Sequence, residues 1–212
     1  MTINFEALNE VQRTINNYPN SELLIVTKNQ SAEDVLCLIK NNMKLFGENR
    51  IQEADNKFNK IEEYKNRIEL HLIGQLQSNK TKKALLLFDC IQTIDRKKLI
   101  DEITKLNETL PEVRTKKYYI QINIGEEDQK SGAAPDKAKE LYGYAVEKKM
   151  NIVGFMCIPP NNSDSASYFK KMLKLKNEIN SNLLLSMGMS NDFKDALTNG
   201  SNLIRLGSMI FS

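Results

Sequence analysis

The sequence predicts a single-domain α/β protein, residues 1–212, with the (β/α)8 fold of a TIM barrel and one extra helix at the N-terminus. Eight short, apolar, β-rich segments alternate with segments of helical periodicity. The strand segments begin at residues 23, 44, 68, 90, 118, 152, 183 and 203. Each interval therefore has room for one strand, one helix and two loops. No linker, repeat or break in composition divides the chain.

The alternation favours parallel strands, because a helical crossover returns the chain to the same end of the sheet. Eight consecutive units are typical of a closed barrel. The alternative, a doubly wound open sheet, usually holds about five or six strands and leaves the surplus unplaced. The predicted strands are Leu23–Val26, Lys44–Phe46, Ile68–Ile73, Cys90–Ile94, Tyr118–Ile124, Ile152–Cys157, Leu183–Ser186 and Leu203–Leu206.

The helices are predicted from apolar residues that recur on one face. Ser31 and Asp34 have the spacing of a capping box, which marks the start of the helix after the first strand. The residues that predict the extra N-terminal helix are Ile3, Leu8, Val11 and Ile15.

The composition is that of an ordinary globular protein and excludes several classes of function. Hydrophobic residues make up 41% and charged residues 27% of the chain. The net charge of +3 suits a small anionic ligand but falls short of what nucleic-acid binding requires.

The cysteines and the histidine argue against a metal centre and a hydrolase triad. Cys37, Cys90 and Cys157 form no CxxC pair, His71 is the sole histidine, and no G-x-S-x-G motif is present. The thiols are predicted to be buried and reduced. The sequence also shows no signal peptide and no apolar run of about 20 residues. These features predict a cytoplasmic protein.

Lys28 follows the first predicted strand and is a candidate for covalent chemistry. In such a barrel the loops after the strands form the active face. Partial burial of a lysine there favours the neutral amine, which attacks carbonyls to form a Schiff base. From position alone, the alternative is one more surface lysine in a lysine-rich chain.

The loops after the seventh and eighth strands predict a phosphate site. Ser186–Ser190 and Gly207–Ser208 are rich in serine and glycine, so backbone N–H groups and hydroxyls can approach a phosphate. Ser190–Asp192 also has the pattern of a helix N-cap. The alternative is that these residues serve only the turns.

Three further polar residues lie at or near strand ends. Arg205, within the last strand, needs an acceptor or an anion. A ligand and an internal salt bridge with a barrel carboxylate such as Glu48 are equally compatible with the sequence. His71 is predicted to be a hydrogen-bonded core histidine. Asn49 either caps the next helix or donates to a ligand. A Schiff-base lysine and a phosphate site at one barrel mouth indicate a phosphorylated aldehyde, either pyridoxal 5′-phosphate (PLP) or a sugar phosphate.

Seven motifs occur in order between about Leu23 and the C-terminus. They are Val26–Lys28, Phe46–Asn49, His71–Lys80, Lys130–Gly132, Gly154–Ile158, Leu185–Phe193 and Arg205–Phe211. Together they resemble the pyridoxal phosphate homeostasis proteins, the single-domain relatives of the alanine racemase barrel.

The resemblance implies a role toward PLP for seven residues. Lys28 forms the Schiff base and Arg205 faces the pyridine nitrogen. The other implied contacts are Asn49 with the cofactor ring, and Ser186, Met187, Gly207 and Ser208 with the phosphate.

The resemblance implies intracellular PLP homeostasis, by buffering or delivery, and not turnover. Racemisation needs a proton donor or acceptor on each face of the substrate. In the racemases the opposing tyrosine comes from a second domain, for which this barrel leaves no residues. An arginine facing the pyridine nitrogen also makes the ring a weaker electron sink. The alternatives are a PLP-dependent racemase or lyase and a Schiff-base sugar-phosphate aldolase.

The expected partners are PLP and, for delivery, PLP-dependent apo-enzymes, with no nucleic acid and no membrane. Lys80 and Lys130 are loop lysines that are candidates for passing on the aldehyde, although Lys80 equally begins a solvated helix. No heptad pattern or extra arm is visible, so a monomer is expected.

Overall fold

The computed structural model describes residues 2–161 and 164–211, which form a closed barrel of eight parallel strands. The strands are β1 Glu22–Val26, β2 Leu45–Glu48, β3 Glu69–Leu72, β4 Cys90–Ile94, β5 Lys117–Ile122, β6 Ile152–Cys157, β7 Leu184–Ser186 and β8 Leu203–Leu206. Each strand pairs with the next in chain order, and β8 closes the ring by pairing with β1. The barrel prediction is confirmed, and the open sheet is excluded.

Helices cover the outside of the barrel. In the described part of the chain the α-helices are α1 Phe5–Ile15, α2 Ala32–Lys40, α3 Ile51–Phe58, α4 Thr81–Leu87, α5 Lys97–Thr109, α6 Ala138–Glu147, α7 Ser165–Ile179 and α8 Phe193–Thr198. Short 3₁₀ helices occupy Asn59–Arg67, Ser78–Lys80 and Pro135–Lys137. The first α-helix is the predicted extra one.

The chain ends meet beside this N-terminal helix. Ile3 and Phe211 form an antiparallel bridge, and the Asn4 N–H donates to the Ile210 carbonyl at 2.8 Å. Leu8 and Val11 of α1 are buried against the barrel. The segment after β8 is therefore held by the residues that directly precede α1.

Local signals in the sequence place the strand ends to within two residues and also mark one helix start. At the start of α2, Ser31 Oγ accepts from the Asp34 N–H, and the Asp34 carboxylate accepts from the Ser31 N–H, so the predicted capping box is confirmed. The largest differences include β2, which continues to Glu48 because this carboxylate is paired inside the protein.

The two faces of the barrel wall have different chemistry. Since side chains alternate along a strand, every second residue points into the barrel. Outward residues such as Ile25, Phe46 and Leu70 are buried between strands and helices and belong to the main apolar core. The side chains that point into the barrel are largely polar in the layer that contains Arg205 and Ser186, which are hydrogen-bonded to each other.

Gly154 tests the packing of the barrel interior. A Cβ at this position would lie 2.3 Å from the Leu184 carbonyl oxygen and 2.6 Å from the Tyr119 ring. We expect Gly154→Ala to lower the free energy of unfolding by about 1–3 kcal/mol, because backbone and a buried ring must move. The measurement is urea-induced unfolding.

Gly143→Ala is the matched control. Gly143 is exposed within α6, and a Cβ there would have no heavy atom within 4 Å. Alanine is expected to stabilise this helix by about 0.5–1 kcal/mol. Equal unfolding midpoints for the two variants would contradict this account of the packing.

Candidate functional site

The mouth of the barrel brings the ends of β1 and β8 together. These strands pair in parallel, with Leu24 opposite Arg205 and Ile25 opposite Leu206. A Cβ on Gly207 would lie 3.0 Å from the Val26 carbonyl oxygen, so glycine permits this close approach. Lys28 and the Gly207–Ser208 turn therefore follow neighbouring strands at the same rim.

The backbone on both sides of Lys28 is held by acidic and basic groups from α3 and β2. The Thr27 hydroxyl donates to Glu48 Oε1 at 2.6 Å, and Lys57 Nζ donates to the Thr27 carbonyl at 2.5 Å. On the other side, the Asn29 N–H donates to Glu53 Oε1. The Lys28 side chain itself is exposed, so the partial burial expected from its position is not observed.

Glu48 and Lys57 form a buried ion pair between the barrel wall and α3. Their charged atoms lie 2.6 Å apart, and a second carboxylate, Glu53, lies 3.2 Å from Lys57 Nζ. Burial raises the pKa of Glu48, while hydrogen bonds from Lys57 and Thr27 act in the opposite direction. Glu48 thus pairs with Lys57, which sequence reasoning missed, and the alternative salt bridge with Arg205 is excluded.

Arg205 is a buried cation whose hydrogen-bond partners are neutral. Its Nη1 donates to Ser186 Oγ and its Nη2 donates to the Cys157 carbonyl, both at 2.8 Å. Only 4% of the residue is exposed. Among the described residues its hydrogen-bond partners include no carboxylate, and burial lowers its pKa. Such a guanidinium fits a ligand that brings an acceptor atom, and the pyridine nitrogen of PLP is one.

Ser186 and Met187 occupy a different environment from the one the resemblance implies. Ser186 is fully buried, and its hydroxyl accepts from Arg205 and donates to Gln92 Oε1 at 2.6 Å. Met187 is also buried, and its N–H donates to the Leu203 carbonyl at 3.1 Å. Their contact with a phosphate stays a prediction, and it requires these hydrogen bonds to be exchanged.

A cavity of about 610 Å³ opens between the loops that follow β6, β7 and β8. The Ser208 hydroxyl donates to Ser190 Oγ at 3.1 Å and so joins two of these loops. The lining residues are Pro159, Pro160, Asn161, Ser165, Met189, Ser190, Asn191, Asp192 and Ser208. This volume lies within the range of ligand sites in proteins, roughly 300–1,000 Å³.

The predicted N-cap at Ser190–Asp192 is confirmed in position, since Asp192 directly precedes α8. Its side chain, however, accepts from the Met189 N–H at 2.6 Å and makes no capping bond to the helix. The carboxylate therefore shapes the loop after β7 and not the helix end.

Asn49 lies at the rim and does not cap the following helix. The residue that precedes α3 is Arg50, and Asn49 is exposed. A Cβ on Gly74 would come within 2.0 Å of the Asn49 carbonyl oxygen, so glycine lets the loop after β3 lie against it. Capping of α3 by Asn49 is therefore excluded, and its contact with a ligand stays a prediction.

The remaining lysine candidates and the buried cysteines lie in different environments. Lys130 Nζ donates to the Pro159 carbonyl at 3.0 Å, beside the cavity, whereas Lys80 is exposed. Burial raises the pKa of the Cys90 thiol, and that of Cys157 to about 12, so neither is a ready thiolate.

Residues 2–161 and 164–211 hold no group of three or more metal-ligating side chains that could bind an ion. In the same part of the chain, no helix is long and apolar enough to cross a membrane.

The barrel interior joins the predicted core histidine to two residues that the sequence analysis did not mark, Gln92 and Glu69. His71 is buried and hydrogen-bonded through both ring nitrogens, as predicted for a core histidine. Its partners are Gln92, at 2.7 Å from Nδ1, and Glu69, at 2.8 Å from Nε2. Gln92 lies within an apolar segment of the sequence. A polar residue at a strand position that points into the barrel is the signal by which it could have been found.

The buried ion pair predicts a specific stability pattern. Lys57→Met leaves the Glu48 carboxylate buried without its cation, so we expect unfolding to become easier by about 3–5 kcal/mol. Adding Glu48→Gln removes the stranded charge and is expected to recover at least half of the loss. Urea unfolding of the single and double variants measures this, and strict additivity of the two losses would be inconsistent with a coupled pair.

The lowered pKa of Glu69 predicts that the free energy of unfolding decreases in acid. Hydrogen bonds from His71 and then Lys117 lower its pKa from 4.5 to about 2. A lowered pKa stabilises the fold above about pH 4.5, and this contribution disappears as the pH falls toward 2. Glu69→Gln should therefore cost roughly 2 kcal/mol at about pH 6 and progressively less in acid. Urea unfolding across this range tests the trend, which a constant difference would disprove.

No family model matches the chain, but curated relatives do. The pyridoxal phosphate homeostasis protein of Aquifex aeolicus is 36% identical over 181 residues, which cover 80% of this chain and 76% of the relative. That of Pasteurella multocida is 36% identical over 204 residues, covering 90% and 85% respectively.

Solved structures agree with these relatives. PipY of Synechococcus elongatus is 28% identical without PLP and 27% identical with PLP bound, with TM-scores of 0.88 and 0.83. Each covers 98% of this chain and 99% of PipY. An alanine racemase of Clostridium difficile shares the fold at 14% identity, with a TM-score of 0.73, 99% of this chain covered and 57% of the racemase. The resemblance is confirmed: this chain belongs to the pyridoxal phosphate homeostasis protein family.

Proposed function

We propose that this protein binds PLP at the barrel mouth, holds it as a Schiff base on Lys28, and buffers or delivers it within the cell. The observation that carries the proposal is the buried Arg205 guanidinium, which has no carboxylate hydrogen-bonded to it among the described residues. Arg205 lies on β8, which pairs with β1, the strand that Lys28 follows. The names of the relatives and the PLP bound to PipY support the proposal.

The chain offers a separate contact for each part of the cofactor. Bound PLP supplies an aldehyde, which combines with the Lys28 amine with loss of one water. Arg205 donates toward the ring nitrogen, and Asn49 contacts the ring from the neighbouring loop. The Gly207–Ser208 turn and the part of the preceding loop around Ser190 receive the phosphate, beside the 610 Å³ cavity, while the Ser186 hydroxyl stays with Arg205 and Gln92.

Two features of the chain's own residues favour holding the cofactor over turning over an amino acid. Arg205 is a permanent cation that has no proton to give the ring nitrogen, so the ring remains a weak electron sink. Racemisation also needs a second acid or base, and burial raises the pKa of both Tyr118 and Tyr119 on β5. Neither phenol is tuned for proton exchange near neutral pH.

The proposal also includes a cytoplasmic location and a monomeric state for the protein. Cys37, Cys90 and Cys157 are all free thiols, as expected in a reducing compartment. Sedimentation of the purified protein reads the oligomeric state directly.

Replacement of Lys28 tests the covalent attachment. Protein mixed with PLP is expected to show a visible absorption band, and borohydride should fix the cofactor irreversibly. Lys28→Ala and Lys28→Arg should lose both properties, because neither side chain forms an imine. Lys40→Ala, an exposed lysine at the end of α2, is the control and should behave as wild type. Fixation that persists in both Lys28 variants would refute the attachment.

A transfer assay separates delivery from catalysis. PLP-loaded protein is expected to reactivate a PLP-dependent apo-enzyme, and borohydride-reduced protein is expected not to, because its cofactor cannot leave. The loaded protein should show no racemase, decarboxylase or transaminase turnover. Robust turnover of an amino acid would favour the racemase or lyase, and cleavage of a sugar phosphate without PLP would favour the aldolase.

A further inference from the structure

We propose that a single hydrogen-bonded chain through the barrel interior, from Arg205 to Glu69, sets the orientation of the Arg205 guanidinium. Gln92 and His71 are then positioning residues for the ring end of the site. The assignment of the ring contact rests on the proposed function, whereas the chain itself is a property of the protein without ligand.

The chain consists of four short contacts in sequence. Arg205 Nη1 lies 2.8 Å from Ser186 Oγ, and Ser186 Oγ lies 2.6 Å from Gln92 Oε1. Gln92 Nε2 lies 2.7 Å from His71 Nδ1, and His71 Nε2 lies 2.8 Å from Glu69 Oε1. The path crosses from β8 through β7, β4 and β3.

The three linking residues are almost completely buried. Ser186 and Gln92 have no exposed surface, and His71 is 3% exposed. Water therefore does not compete for these contacts, and each polar group depends on the next member of the chain for its partner.

The charged residues at the two ends of this hydrogen-bonded chain, Arg205 and Glu69, fix the direction of every hydrogen bond in it. A guanidinium only donates, so Ser186 accepts from Arg205 and its own proton goes to Gln92 Oε1. An ionised carboxylate only accepts, so His71 Nε2–H donates to Glu69. His71 Nδ1 is then the acceptor for the Gln92 amide.

The opposite orientation of the Gln92 amide fails at two places. It would direct an N–H at Ser186 Oγ, so that the serine proton, which now goes to Gln92, would have no acceptor in the chain. It would also require a proton on His71 Nδ1 in addition to the one on Nε2. Only the first arrangement satisfies a neutral imidazole.

This arrangement supplies Arg205 with a distant negative charge. All four hydrogen bonds point from the cation toward the Glu69 carboxylate, so each polarises the next. Glu69 is itself held by Lys117, at 2.9 Å and 3.1 Å from its two oxygens. The Arg205 guanidinium is consequently fixed on the side of the barrel wall, and its orientation depends on residues at the far end of the interior.

The tautomer of His71 is the direct test and needs no variant. Since the protein contains one histidine, a two-bond ¹H–¹⁵N correlation spectrum of untagged, ¹⁵N-labelled protein reports the His71 ring alone. Without PLP, we expect the ring to carry its proton on Nε2 and to have Nδ1 unprotonated. A ring protonated at Nδ1, or at both nitrogens, would overturn the chain.

Two substitutions of His71 test its effect on the cofactor. Glutamine can accept from Gln92 and donate to Glu69, whereas leucine can do neither. His71→Leu is expected to weaken PLP binding on the order of tenfold and to shift the absorption maximum of bound PLP. His71→Gln should stay within about threefold of wild type, with the wild-type maximum.

The outcomes separate this inference from the proposed function. Circular dichroism and thermal unfolding identify the folded fraction, and a purely structural role would lower that fraction without shifting the absorption maximum. Unchanged affinity and maximum in folded His71→Leu would overturn the positioning role while PLP binding stands. Failure of the wild-type protein to bind PLP would overturn the proposed function together with the contact between Arg205 and the cofactor ring. The tautomer of His71 would still show whether the hydrogen-bonded chain from Arg205 to Glu69 exists.

Discussion

The barrel mouth is organised around a cation that has been taken out of water. Burying a guanidinium costs several kcal/mol unless its donors are satisfied, and Arg205 satisfies two of them with a hydroxyl and a backbone carbonyl. The strands that face it therefore carry polar side chains at inward positions, where barrels of this type commonly carry bulky aliphatic ones. Because β8 continues directly into Gly207 and Ser208, the cation and the turn are positioned by the same strand.

Lys28 and Arg205 are supported from different layers of the molecule. The backbone around Lys28 is held from the outer layer by Glu48, Lys57 and Glu53, between the barrel wall and α3. Arg205 is held from the interior. Since no hydrogen bond or ion pair within the described part of the chain links these two groups of residues, we expect that the Lys28 anchor and the Arg205 contact can be altered separately by mutation.

Much of the fold follows from local patterns. The alternation of β-rich and helical segments identifies the eight units, and Ser31 with Asp34 marks a helix start that the structure confirms. The end of β2 is harder, because Glu48 looks like the first residue of a loop. It remains in the strand since Lys57, nine residues later on the next helix, neutralises it inside the protein.

The sequence by itself determined the order of the elements, the family and the short set of candidate residues, because periodicity and motifs are properties of neighbouring positions. Only the tertiary structure decided which groups meet in the interior. Ser186 stands in a serine-rich segment expected to face a phosphate, yet its hydroxyl lies between Arg205 and Gln92, and Gln92 is 94 residues away along the chain. Such partnerships depend on strand register and on closure of the barrel, which no local pattern encodes.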